Sequence, residues 1–283
     1  MLHRPLRRTP FDLAMMTHPF LDSLRPTLHI SHRGGSLLAP ENTLLAFEQA
    51  LRRFRTDLLE LDVHRTKDGE LVVTHDATLE RCTDGRGLLR DHTLAELQTL
   101  DAGFHFSPDG GATHPFRGTG VCIPTLRELL RAYPQTRLNI EVKPDEPGIE
   151  DAFAEVLHAE NAVLRVCCGS EQDAVASRLV EALPEACHFY PRNALVALVM
   201  ALKMGEPVPL EPRFQVLDMP ATFQGLPLLD AAFLARTREL GKWVNVWTVD
   251  DPGQMRALVA LQVGGIMTDR PDLLRDVLDA PLG

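Results

Sequence analysis

Four stretches of this chain end in close pairs of charged or titratable residues: His32-Arg33, Glu60-Leu61-Asp62, His75-Asp76 and Glu141-Val142-Lys143. Each pair follows a short β-prone run. Residues two apart on a strand share a face, so Glu60 joins Asp62 and Glu141 joins Lys143. Any one pair alone reads best as a solvated strand edge, a salt bridge or a satisfied structural histidine. Together they do not, because burying three carboxylates, two imidazoles, a guanidinium and an ammonium is costly unless a ligand or metal compensates.

Charge counting narrows the compensation. Glu60, Asp62 and Glu141 carry three negative charges against the two positive ones of Arg33 and Lys143. A divalent cation turns that net −1 into +1, which suits a phosphodiester monoanion. All-oxygen ligation points to a hard ion, Mg²⁺ or Ca²⁺, and leaves both histidines for proton transfer. Arg33 and the cation would clamp the phosphoryl oxygens. His32 and His75 would divide the work, one taking the nucleophile's proton and the other protonating the leaving alkoxide.

The elements that must hold these groups alternate between β-prone runs and amphipathic helical stretches, the pattern of a parallel βα sheet. Strand candidates open at Leu28 and recur at 57–63, 71–75, 137–143, 163–169, 187–190, 214–217, 243–249 and 264–268. Nine candidates exceed the eight of a (β/α)8 barrel, whose typical length of about 250 residues fits the body of the chain. Only about seven residues separate Val63 from Leu71, too few for a parallel crossover. Thr66-Lys67-Asp68-Gly69 is a strong turn signal there. The spacing therefore predicts a TIM barrel irregular around strands 2–3, with Asp62 roughly opposite His75. Residues 1–26 read as an N-terminal arm without an expected fold, and 27–283 as one barrel domain. Residues 101–125, rich in Gly and Pro and carrying Phe104, Phe106 and Phe116, read as a small lid insertion.

A net charge of −10 with no basic block argues against nucleic acid as a partner. No apolar run reaches the ~18 residues of a membrane span, and the helix-like stretch 196–205 reads as core or barrel wall. The five cysteines lack metal-ligand spacing and read as free thiols in a reducing compartment, which predicts a cytoplasmic protein. The sequence assigns no oligomeric state.

These motifs resemble the glycerophosphodiester phosphodiesterase family, in the form of its bacterial cytoplasmic-type branch. The matching residues are His32-Arg33-Gly34 with Pro40-Glu41-Asn42-Thr43, then Glu60-Leu61-Asp62-Val63 through Thr66-Lys67-Asp68-Gly69 to His75-Asp76. Ile140-Glu141-Val142-Lys143, Val246-Trp247-Thr248-Val249-Asp250 and Gly265 to Pro271 complete the series. Gly264 departs from it, standing where the family usually has Asp. The resemblance implies a TIM-barrel enzyme that hydrolyses glycerophosphodiesters to glycerol 3-phosphate and an alcohol. It implies His32 and His75 as the acid–base pair, Arg33 and Lys143 at the phosphate, and Glu60, Asp62 and Glu141 on the metal. Glu41 would stand in or behind the site, Trp247 would wall the glycerol, and Gly34-Gly35 would give the phosphate room. Attack by water and attack by the substrate's own 2-hydroxyl both remain open.

Three rivals accompany this reading. Lysophospholipase D activity would need an apolar groove, for which the Phe-bearing insertion is the candidate. A phospholipase C-like cyclising lyase would release a stable cyclic phosphate. A non-enzymatic binding barrel is disfavoured because no member of the constellation is missing.

Overall fold

The computed structural model describes residues 18–22, 24–209 and 211–280. Eight parallel strands form the barrel: β1 (Leu28–His32), β2 (Leu58–Arg65), β4 (Arg137–Val142), β5 (Val166–Gly169), β6 (Cys187–His188), β7 (Val216–Pro220), β10 (Trp243–Trp247) and β11 (Gly265–Thr268). They pair in the order β6-β5-β4-β2-β1-β11-β10-β7. A bridge between Phe189 and Val216 brings β6 and β7 together and nearly closes the ring. The outer helices are α1 (Leu44–Phe54), α2 (Leu94–Leu97), α3 (Leu126–Ala132), α4 (Ile149–Ala159), α5 (Asp173–Ala182), α6 (Arg192–Met204), α7 (Ala231–Glu239), α8 (Pro252–Ala260) and α9 (Pro271–Asp279).

The surplus strand is β3 (Leu71–Val73), which pairs antiparallel with β2 through Val63↔Val73 and Arg65↔Leu71. The Thr66–Gly69 turn thus makes a hairpin, because so short a link permits nothing else. The register places Thr74, not His75, against Asp62, and Thr74 N–H donates to the Asp62 carbonyl at 3.0 Å. A second hairpin, β8 (Thr222–Phe223) with β9 (Leu226–Pro227), follows β7 at the barrel mouth. The run expected over 163–169 begins as strand only at Val166, its first three residues forming a 3₁₀ turn.

Period-two alternation sorts the side chains. On β2, Leu59, Leu61 and Val63 face the helices and pack with Phe47, Leu126, Leu129 and Phe153. On the other face Leu58 joins Ile30, Cys167, Cys187, Val216 and Met267 inside the barrel. Two residues further along each strand the interior becomes polar: Ile30 gives way to His32, Leu58 to Glu60 and Asp62, Val216 to Asp218. An apolar floor therefore lies beneath a polar mouth, the usual arrangement for a barrel whose site sits at the C-terminal strand ends. Part of the expected N-terminal arm belongs to that floor. Phe20, Leu21 and Leu24 are buried against Leu28 and Ile30; residues 1–17 and 23 lie outside the described residues.

Two glycines of the floor have a steric reason. A Cβ at Gly264 would come within 2.5 Å of the Trp243 indole, and one at Gly265 within 2.5 Å of Ile30 Cδ1. Any side chain at position 264 would collide with that indole, so Trp243 and Gly264 fit as a pair.

Residues 101–125 are a folded insertion. Ala102, Val121 and Ile123 pack with Val72, Leu79, Leu89 and Leu97, and Phe116 lies against that cluster.

Candidate active site

A cavity of about 700 Å³ opens at the C-terminal ends of the strands. His32, Arg33, Glu60, Asp62, His75, Glu141, Lys143 and Trp247 all line it. Glu41 does not; it stands behind Arg33. No residue of 101–125 lines the cavity. Much of the apolar lining comes from α6, β7 and the β8–β9 hairpin, with Phe189, Trp247 and Met267 adding to it.

β1 ends at His32, and the chain then turns through Arg33, Gly34 and Gly35 with φ of 52°, 83° and 96°. A Cβ at Gly34 would lie 2.7 Å from Ala46 Cβ, and one at Gly35 2.7 Å from the Pro271 ring. These glycines make room for α1 and α9. The turn rotates Arg33 back across the site. Its Nε lies 3.3 Å from Asp62 Oδ2, and its Nη1 donates to Glu41 Oε1 at 3.1 Å.

Each histidine has its Nδ1 on an aspartate. His32 Nδ1 lies 2.7 Å from Asp269 Oδ1, and His75 Nδ1 lies 2.6 Å from Asp76 Oδ1. An aspartate that accepts from Nδ1–H fixes ring and tautomer, leaving Nε2 for proton exchange. Burial pulls the His32 imidazole down, but Glu60 and Asp269 outweigh it and the net direction is up. Asp76 is held by Arg81, whose two Nη atoms also donate to Glu41 at 2.7 and 2.8 Å. Burial would raise the Asp76 carboxyl, yet bonds from Arg81 and His75 bring it to about 2. His64 places Nε2 3.0 Å from the His75 carbonyl oxygen and braces that backbone. Asp250 secures the other aspartate's loop, accepting from Thr268 Oγ1 and the Asp269 N–H, both at 2.8 Å.

The carboxylates sit deepest. Asp62 and Glu141 are direct partners across β2 and β4. Lys143 Nζ joins them, 3.2 Å from Asp62 Oδ1 and 2.7 Å from Glu141 Oε2. Asn42 Nδ2 donates to Asp62 Oδ2 at 3.0 Å. Burial raises the Asp62 carboxyl, but Lys143 and Arg33 hold it low. Glu60 accepts from the Arg33 N–H at 3.1 Å. Burial and the neighbouring Asp62 carboxylate push its carboxyl up to about 8. Among the described residues no three His, Cys, Asp or Glu side chains are gathered as a metal cage. The donor chemistry nonetheless fits a hard cation. Three carboxylates, Glu60, Asp62 and Glu141, converge on one cavity and offer the all-oxygen set such an ion takes.

Sequence reasoning overlooked the supporting groups. Asp76 and Asp269 lay inside quoted motifs, beside a histidine and after a strand, and a carboxylate partner for each imidazole was the available signal. Arg81 carried no signal; only the chain's return past β3 brings it to Glu41 and Asp76. Asp218 was also unmarked. Deep in the mouth, it accepts from Asn139 Nδ2 at 2.7 Å and Asn245 Nδ2 at 2.9 Å, and burial pushes its carboxyl up to about 6.

Barrel and site together define a phosphodiesterase of the TIM-barrel class. Residues 32–273 match the model of the glycerophosphoryl diester phosphodiesterase family, and the chain belongs to that family. It is 32% identical over 254 residues to a glycerophosphodiester phosphodiesterase of Caldanaerobacter subterraneus, covering 88% of this chain and 96% of that one. A human lysophospholipase D is 26% identical over 276 residues, covering 88% and 85%. An Oleispira antarctica phosphodiesterase, solved with the product sn-glycerol-3-phosphate, superposes with a TM-score of 0.72 at 28% identity, covering 90% and 98%.

Proposed function

We propose that this enzyme hydrolyses glycerophosphodiesters to glycerol 3-phosphate and an alcohol, with a divalent cation, Mg²⁺ or Ca²⁺, as cofactor. The observation that carries the reading is two imidazoles, each set by an aspartate, facing one cavity with Arg33, Lys143 and three carboxylates. The bacterial relative and the product-bound structure supply the substrate class. The human relative extends it toward lysophospholipids.

In this reading Glu60, Asp62 and Glu141 hold the cation, and Lys143 yields one of its two carboxylate contacts. When bound, the cation supplies charge to the non-bridging phosphoryl oxygens. Arg33 binds the same oxygens from the β1 side and is itself aimed by Glu41. One histidine takes the proton of the attacking oxygen and the other delivers a proton to the leaving alkoxide. The P–O bond to the alcohol breaks as the new P–O bond forms. Trp247 supplies a flat apolar wall against the glycerol. The free cysteines support a cytoplasmic setting, and no helix among the described residues is long and apolar enough to cross a membrane.

The test is choline release from glycerophosphocholine, measured with and without chelator and each metal. Metal-dependent release of choline with glycerol 3-phosphate is the expected result. A stable cyclic phosphate as end product would favour the lyase instead, and activity indifferent to chelation would remove the three carboxylates from their metal role.

A further inference from the structure

One acid on the cavity's inner surface has no part in the chemistry above. Val216, Trp243 and Trp247 pack in the barrel interior, so by period two Asp218 of β7 and Asn245 of β10 point inward as well. Asp218 and Asn245 are direct partners across the two strands, as are Pro220 and Trp247 one step outward. On β4, Asn139 stands level with Glu60 of β2. Asn139, Asp218 and Asn245 thus form a polar layer across the barrel, above the apolar floor and below Trp247 and Glu141. Its bonds run toward Asp218. Trp243 Nε1–H donates to Asn245 Oδ1 at 2.9 Å, and Asn245 Nδ2 and Asn139 Nδ2 donate to Asp218 at 2.9 and 2.7 Å. The layer is short of donors. A carboxylate accepts about four hydrogen bonds, and among the described residues Asp218 receives only these two and pairs with no cation. Asn139 Oδ1 is buried and receives none. Burial pushes the Asp218 carboxyl up to about 6, so at neutral pH it is an ionised acceptor lining the cavity. An unpaired carboxylate in a barrel interior costs stability that an apolar residue would not. Val216, one step below, closes the floor without that cost.

The substrate of the proposed reaction brings the missing donor. In that reading Arg33 and Lys143 take the phosphate, and the glycerol lies against Trp247. The glycerol 2-hydroxyl sits beside the phosphate-bearing carbon and stays with the reacting centre. The terminal hydroxyl is the polar end furthest from phosphorus, and the layer beneath Trp247 is where it points. The other polar groups of the lining are engaged or open to solvent. Glu171 is paired with Arg192, the Tyr190 hydroxyl donates to the Glu211 carbonyl at 3.3 Å, and Thr248 is exposed. We infer that Asp218, positioned by Asn139 and Asn245, accepts the hydrogen bond of the substrate's terminal glycerol hydroxyl and selects diesters in which that hydroxyl is present. This assignment rests on the phosphodiesterase reading. It adds a residue that discriminates at the far end of the glycerol, whereas the histidines, Arg33 and Lys143 act at the phosphate. A site built around a substrate hydroxyl rejects the analogue lacking it, because its own buried polar group is then left unpaired.

The experiment measures choline release by the metal-loaded enzyme from glycerophosphocholine and from its propane-1,2-diol analogue, which lacks only the terminal hydroxyl. The analogue keeps the 2-hydroxyl, so either course of attack stays open to it. Wild type is expected to favour glycerophosphocholine about 10- to 100-fold in kcat/KM. Asp218→Asn, which keeps the shape and one acceptor oxygen, is expected to lower that ratio roughly three- to tenfold, and Asp218→Leu to bring it to about one. The ratio is taken within each variant, so partial loss of folding cannot mimic the effect. A wild-type ratio near one, or a large ratio that both variants keep, overturns the assignment while the phosphodiesterase reading survives. So does a variant that shifts the preference between glycerophosphoethanolamine and glycerophosphocholine but leaves the hydroxyl ratio intact, because the carboxylate would then face a head-group ammonium. If neither variant folds, a structure of the wild-type enzyme with sn-glycerol 3-phosphate decides. A terminal hydroxyl on Asp218 supports the assignment, and one turned away from it overturns it. Failure of wild type to release choline from either diester removes the phosphodiesterase reading and this assignment with it.

Discussion

The two walls of the cavity were built by different rules. The wall from β1, β2 and β4 is charged. Every side chain on it is held by another: His32 by Asp269, Arg33 by Glu41, Asp62 by Asn42, and Lys143 by Glu141. The wall from α6, β7 and the hairpin is mostly apolar, with Asp218 at its inner edge bonded to Asn139 and Asn245. A charged site must be pre-organised before substrate arrives, because reorienting dipoles during the reaction would cost what the site is meant to save. An apolar wall needs only shape, so its residues can stay bare and adaptable. Rigid chemistry thus lies on one side and tolerant binding on the other.

The comparison can be broken from the charged side first. Chelation is expected to take glycerophosphocholine hydrolysis to background, and added Mg²⁺ or Ca²⁺ to restore it; chelator-resistant turnover would end the metal assignment. His75→Ala is expected to lower kcat by about 10²–10⁴ while calorimetry still detects metal binding. Equal loss of metal binding would make His75 a structural or ligating group. Arg81→Ala tests whether the supporting bonds matter as a unit. We expect roughly a tenfold fall in kcat with little change in KM, partly recovered by added guanidinium, since the half-exposed Arg81 touches Asp76 and Glu41 without lining the cavity. A KM effect alone, without rescue, would deny it a positioning role.

α6 sharpens the comparison within one helix. Leu198→Ala, on its fully buried face, is expected to cost about 2–5 kcal/mol in urea unfolding. Met204→Ser, on its bare face, is expected to stay within about 0.5 kcal/mol. Comparable losses would mean that the outer face is packed in solution. A pH-dependent effect concerns Asp218, at the inner edge of the apolar wall. Its folded pKa of about 6 lies above the ordinary carboxylate value of about 3.9. Its contribution to stability is therefore complete below the unfolded value and is lost as pH rises through about 6. Asp218→Asn is expected to flatten the unfolding midpoint over that interval. An unchanged slope would assign the titration elsewhere.

The charged wall was legible because its residues are improbable where they stand. His32-Arg33 at a strand tip and Glu60-x-Asp62 on one strand face both demand a partner, and the motifs place those partners in order. The Asp68-Gly69 turn was legible too, since a link that short can only make a hairpin. Register was less so, and Thr74 took the place opposite Asp62 that spacing had offered to His75. The packing of the Phe-bearing insertion was not legible, because its contact with Val72, Leu79 and Leu97 is made only in the fold. The N-terminal arm hid the apolar plug of Phe20, Leu21 and Leu24, which short apolar spacing does not announce.

Local chemistry in the sequence by itself pointed to the barrel and to the two histidines, three carboxylates, Arg33 and Lys143 that line one cavity, because charge buried at strand ends admits few explanations. Only the tertiary structure decided which side of the mouth is apolar. Val196, Met200 and Met204 have the same composition and period whether a helix face is packed or bare; exposure is a property of what the rest of the chain fails to cover. The same holds for Arg81, whose role exists only because the fold carries it to Glu41 and Asp76.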